Sequence, residues 1–155
     1  MKIHLIIATT LSLGMSVSAQ DKAPITVPEP VKAAFTKQFP QAENAKWEME
    51  DKTDYEAEFK MSGVKYSAKY NAAGTWMETE HKIKTEALPD AVKKSIATNY
   101  ADHKTEKAEL TETPEGVFYE VDLEKAGLEV EVVFGMDGKV LKSKEEKRNK
   151  EEDKD

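Results

Sequence analysis

Two stretches of this chain repeat each other. The series Val27-Pro28-Glu29-Pro30-Val31, with Phe35 and Phe39 behind it, returns 61 positions later as Leu88-Pro89-Asp90-Ala91-Val92, with Ile96 and Tyr100. Tyr55-Glu56-Ala57-Glu58-Phe59 returns 64 positions later as Tyr119-Glu120-Val121-Asp122-Leu123. Gly63 and Gly74 return at that same spacing as Gly127 and Gly138. Self-similarity at a fixed period means one supersecondary unit built twice. The growth of the spacing places three extra residues between the helix and the second strand of unit two, around Thr113-Pro114-Glu115-Gly116.

Periodicity says what the unit is. Val31, Ala34, Phe35 and Phe39 fall at helical spacing, with Pro28 at the first turn and Pro40 as a stop. Val92, Ile96 and Tyr100 form the matching stripe. The period then changes to two. Trp47 and Met49 alternate with Lys46, Glu48 and Glu50, then Tyr55, Ala57 and Phe59 with Glu56 and Glu58, then Tyr66, Ala68 and Tyr70 with Lys65, Ser67 and Lys69. Such alternation predicts antiparallel strands with one face buried and the other toward water. Ser62-Gly63 and Ala126-Gly127 read as two-residue hairpin turns that need positive φ. Asn71–Gly74 and Gly135–Gly138 read as four-residue turns.

Those turns fix a register. Glu56 is expected opposite Lys69, Lys65 opposite Glu80, and Lys69 opposite Trp76. In unit two Glu131 is expected opposite Lys142, Glu129 opposite Lys144, and Val133 opposite Val140 with Phe118 near them. Opposite charges meeting in both units support the register more than they add stability, since each is worth only ~0.2–1 kcal/mol. Lys60 facing Lys65 and Asp122 facing Glu131 are exceptions.

The ends read differently. Lys2, an apolar or small run from Leu5 to Val17, and Val17-Ser18-Ala19 have the form of a secretory signal peptide, with cleavage expected after Ala19. An uncleaved anchor is the alternative, disfavoured by the small residues at the cleavage site. Residues 20–26 read as a linker, 27–84 and 88–144 as the two repeats, and 145–155 as a charged tail expected to be disordered. There is no Cys, which excludes disulfides, a lipid-modified cysteine and thiol chemistry. Half of the mature chain would bury too little surface to be stable alone, so the halves are expected to share one core. A net charge of -7 argues against nucleic acid and anionic membrane as partners, and no membrane insertion is expected once the signal is cleaved.

The pattern Tyr-Glu-x-Glu/Asp-apolar, then Gly-apolar-x-apolar, then aromatic-x-x-x-Gly resembles the PepSY-like domains of exported bacterial proteins, which are similar to the beta-lactamase inhibitor protein. The resemblance spans about Val27 to Ser143, in two copies. It implies an α+β fold: tandem α-β-β-β-β units forming one curved eight-stranded antiparallel sheet with both helices on one face. It also implies a periplasmic or secreted setting and a binding or inhibitory role, with no catalytic residues to carry over. Inhibition of a beta-lactamase does not follow, because function belongs to the site and not the fold.

A protein or peptide partner is expected on the face away from the helices. Its candidate contacts are Lys65, Lys69, Trp76, Phe118, Val133, Val140, Glu120, Asp122, Glu129 and Glu131. Trp76 offers an aromatic anchor there, or else covers the stems of neighbouring lysines or the junction between units. Trp47 is expected in the core. The four carboxylates of unit two suit a basic partner, or a weak divalent cation as in an envelope or stress structural protein, or simply a solvated face. A flat strand face lacks the wrapped oxygen cage that calcium prefers, and no metal or other cofactor is expected. A carboxylate hydrolase is the remaining enzyme reading. His81 and His103 have no metal-ligand spacing, and no nucleophile elbow or phosphate loop is present, so no enzyme is expected. His81 falls on the core-facing side of its strand, as a satisfied structural histidine.

Overall fold

The computed structural model describes residues 25–50 and 53–147, with side chains through 145. The expected signal peptide and most of the expected tail lie outside those residues. Each unit is a ten-residue helix followed by four strands: α1 (Glu29–Gln38), β1 (Glu43–Glu50), β2 (Asp54–Met61), β3 (Val64–Asn71) and β4 (Trp76–Ile83), then α2 (Asp90–Asn99), β5 (Lys104–Thr113), β6 (Gly116–Lys125), β7 (Leu128–Gly135) and β8 (Val140–Lys147). The strands form one open antiparallel sheet in chain order, β1 to β8. The three extra residues of unit two lengthen the β5–β6 hairpin, whose strands have ten residues against eight in β1 and β2. Pairing in β8 continues to Lys147, three residues into the charged segment.

Both helices lie on one face. Val31 and Phe35 of α1 pack with Ala57, Phe59, Ala68 and Tyr70, while Val92 of α2 packs with Val121, Leu123, Val132 and Phe134. These are two clusters, one per unit, where one shared core was expected. They are tied together by the β4–β5 pairing, which sets His81 between Tyr66 and Leu110 on the helix side. Aromatic rings fill the first cluster: Phe35 meets Trp47 at 5.1 Å and Phe59 at 5.0 Å, both edge-on.

The helix N-termini are held by glycine. Gly74 and Gly138 adopt φ +80° and +78° in the β3–β4 and β7–β8 turns. A Cβ on Gly74 would run into the Pro30 carbonyl, and one on Gly138 into the carbonyl of Ala91, the residue at the same place in α2. Turn and helix therefore dock backbone to backbone in both units, and only glycine permits it.

Those same turns overturn part of the expected register. Asn71 N–H donates to Thr75 O and Gly74 N–H to Asn71 O, which makes a three-residue loop closed by a left-handed glycine. Tyr70 therefore pairs with Trp76, a bulge follows at Met77, and Lys69 pairs with Glu78. Glu80 pairs with Ser67, not with Lys65. Unit two repeats the device: Phe134 pairs with Val140, Leu141 bulges, Val133 pairs with Lys142 and Glu131 with Lys144. Glu129 faces Glu146. The bulge residues Met77 and Leu141 are left 38% and 40% exposed. On β2–β3 the expected pairs Glu56–Lys69 and Lys60–Lys65 are present, as is Asp122–Glu131 on β6–β7.

Candidate functional site

The bulges decide which expected contacts share the helix-free face. Trp76 and Val140 pair with helix-side residues, so both turn toward the cores and leave that face. Trp76 packs against the α1 cluster and donates its indole N–H to Thr79 Oγ1 at 2.9 Å; Val140 packs against the α2 cluster. The face retains Lys65, Lys69, Phe118, Val133, Glu120, Asp122, Glu129 and Glu131. Glu80 lies on this face as expected, though opposite Ser67, and the structure adds Glu50, Glu78, Lys107, Glu109 and Thr111, which the strand pairing and side-chain contacts place beside them.

In unit one the face is organised by Lys69. Its ammonium lies 2.7 Å from Glu78 in β4 and 2.7 Å from Glu50 in β1, reaching across β2. The Lys69 and Glu78 side chains are only 6% and 9% exposed, so this is a buried ion pair on the side that sequence alternation leaves to water. Burial works against the charged ammonium, but the contacts with Glu50 and Glu78 outweigh it and hold the Lys69 pKa above the usual lysine range. Glu56, opposite Lys69, is raised by burial and by Glu50. The alternation pattern finds Lys69, and the bulge rule for a three-residue loop would have found Glu78.

In unit two carboxylates face one another across strands. Glu109 is opposite Glu120, and Asp122 is opposite Glu131. Glu80 joins them from β4, accepting a hydrogen bond from the buried Thr111 hydroxyl at 3.2 Å. Burial, with Glu78, Glu120 and Glu109 nearby, pushes Glu80 up to about 8. Burial and the charges of Glu131, Glu109 and Asp122 push Glu120 up to about 7. Burial also raises Asp122, against the pull of Lys107. Lys107 bonds Glu109 at 2.9 Å and lies 3.8 Å from Asp122, which holds its own pKa up despite burial. Oxygens of Glu120, Asp122 and Glu131 come within 4.8 Å of one another, the only such ligand cluster among the described residues. Val133 is 2% exposed between Glu120 and Lys142, so charged stems cover it. Phe118, half-buried opposite Thr111, is the aromatic edge of this face.

The histidines are elsewhere. His81 sits on the helix side with its ring 4.6 Å from Tyr66, and burial lowers its pKa. Its Nδ1 is buried without a hydrogen-bond partner, unlike the satisfied histidine expected. His103 packs edge-on against Tyr100 at 5.6 Å.

The fold is thus a duplicated unit of one helix and four strands, with the helices on one side of the sheet and a charged lattice on the other. The family model described as "Putative beta-lactamase-inhibitor-like, PepSY-like" matches residues 19–65 and 54–142, two overlapping segments that together span both units, and the chain belongs to this PepSY-like family. Solved structures share the fold. A BLIP-like protein from Bacteroides fragilis is 22% identical, with 84% of this chain and 94% of that chain covered and a TM-score of 0.74. A DUF2874 family protein from Bacteroides ovatus is 21% identical over 79% of this chain and 89% of that one, with a TM-score of 0.72. A protein from Bacteroides eggerthii described as periplasmic is 21% identical over 78% and 90%, with a TM-score of 0.71. No curated protein matches the chain. Among the described residues no helix is long and apolar enough to cross a membrane.

Proposed function

We propose that this chain is an exported, non-catalytic binding module that engages a protein or peptide through the helix-free face of its sheet. Residues 1–19 are its signal peptide, 27–84 and 88–144 its two repeats, and the periplasm its compartment. The observation that carries the reading is the charged lattice itself. A buried ion pair and half-buried opposed carboxylates are held on a face that neither α1 nor α2 covers. A preorganised polar surface of this kind gives a partner specificity and orientation. Excess carboxylate around Glu120, Asp122, Glu129 and Glu131 favours a partner with basic side chains. Phe118 supplies the apolar contact. The test is capture from a periplasmic extract with the tagged mature chain, against a Phe118→Ala/Glu120→Lys/Asp122→Lys variant and a helix-side Lys94→Glu control. Loss of a captured protein by the triple variant alone supports the face; equal recovery by all three removes it.

One observation favours a second reading, in which the face holds a cation: the three carboxylates of Glu120, Asp122 and Glu131 converge. Calorimetric titration with calcium decides that, since no heat at millimolar metal leaves the cluster as a protein-facing surface.

A further inference from the structure

We propose that the outer edge of β1 is a self-complementary docking strand, on which a second copy of this chain pairs antiparallel about a two-fold axis through Trp47. Among the described residues β1 ends the sheet order and has β2 as its one strand neighbour. An edge of this kind presents unpaired N–H and C=O groups, a ready template for another strand. The sequence Ala45-Lys46-Trp47-Glu48-Met49 reads as its own complement. With Trp47 opposite Trp47 of the second copy, Lys46 faces Glu48 of that copy and Glu48 faces its Lys46. On the other side of the sheet Met49 lies beside Ala45 of the copy, with the two indoles between them.

Other registers lose this match. A two-fold centred on Glu48 or on Lys46 sets like charges opposite each other, and a slip of one residue sets Lys46 against Trp47. The side chains are placed for it. Lys46 and Glu48 are exposed, Met49 is 45% exposed, and Trp47 is half-buried with one flank on Phe35. A bulge between Glu43 and Lys46, with Asn44 at φ 54°, limits the regular edge to a few residues. Such a contact is smaller than a standard interface and gives a weak dimer. It is also closed: a two-fold pairing consumes both β1 edges and leaves no template for a third copy at that end.

Sedimentation of the mature chain from micromolar to millimolar concentration tests this. A monomer–dimer equilibrium is expected. Lys46→Glu and Glu48→Lys, each folded by circular dichroism, should weaken the dimer by about tenfold or more, since both cross-strand pairs become like charges. An equimolar mixture of the two variants restores both pairs and should recover the dimer, as should the Lys46→Glu/Glu48→Lys double variant. A wild-type chain monomeric at millimolar concentration overturns the proposal. So does a dimer indifferent to both single variants, a mixture that stays monomeric, or assembly that continues past the dimer, which would point to β1 meeting β8.

Discussion

Glu80 is the residue where charge on the helix-free face should be most visible in stability. Its carboxyl is pushed up to about 8 from an ordinary 4.5, by burial first and then by Glu78, Glu120 and Glu109. Between those two values the folded protein holds a proton that the unfolded chain releases, so folding stability falls as pH rises through that window. Below it the carboxyl is neutral in both states and costs nothing. At about 1.4 kcal/mol per unit the full shift is a ceiling of roughly 5 kcal/mol. Partial exposure and relaxation of neighbouring side chains reduce this to about 1–2 kcal/mol in practice. Glu80→Gln keeps an acceptor for the Thr111 hydroxyl and removes the charge. It should therefore stabilise the protein by about 1–2 kcal/mol near pH 9 and by almost nothing near pH 4, in urea titrations with unchanged slope. An equal gain at both pH values would refute the electrostatic cause. A loss of stability at high pH would mean that the carboxylate is favourably paired when ionised.

Other outcomes follow from the same contacts. Lys69→Met removes the cation between Glu50 and Glu78 and leaves buried charge uncompensated, at a cost of about 3–5 kcal/mol in chemical denaturation; a cost under about 1 kcal/mol would mean the site is solvated. Gly74→Ala and Gly138→Ala each strain a left-handed turn and drive a Cβ into a helix carbonyl, so each should lose about 2 kcal/mol or more, whereas Gly63→Ala, with open space around it, should lose less. Trp76→Phe removes the indole bond to Thr79, costing about 1 kcal/mol by thermal unfolding, and should leave partner capture unchanged because Trp76 faces the helices.

Much of this architecture is legible in the repeat. Helix stripes, strand alternation and the Ser62-Gly63 and Ala126-Gly127 turns lead to the right elements, the right face for the helices and the Glu56–Lys69 pair. Trp47 falls on the core-facing side as its alternation suggests, half-buried against the first cluster. The errors sit at the β3–β4 and β7–β8 turns, where a glycine just before the strand closes a three-residue loop and a bulge follows. Side-chain period alone cannot show a bulge, because one extra residue flips parity and a second irregularity restores it. That is why Trp76 and Val140 read as outward-facing and are not. The burial of Lys69, Glu78 and Thr111 was also hidden, since alternation assigns a face and says nothing of how far neighbouring charged stems cover it. The separation into two cores depends on where each helix sits along the sheet, which no local pattern encodes.

Binding through the helix-free face can be measured by carboxylate footprinting: carbodiimide labelling of the mature chain, alone and with its captured partner, read by mass spectrometry. Reduced labelling at Glu120, Asp122 and Glu129, with Glu29 of α1 and Asp90 of α2 unchanged, is the expected result. Protection confined to Glu29 and Asp90, with the sheet carboxylates labelled as before, would place the partner on the helices and contradict it.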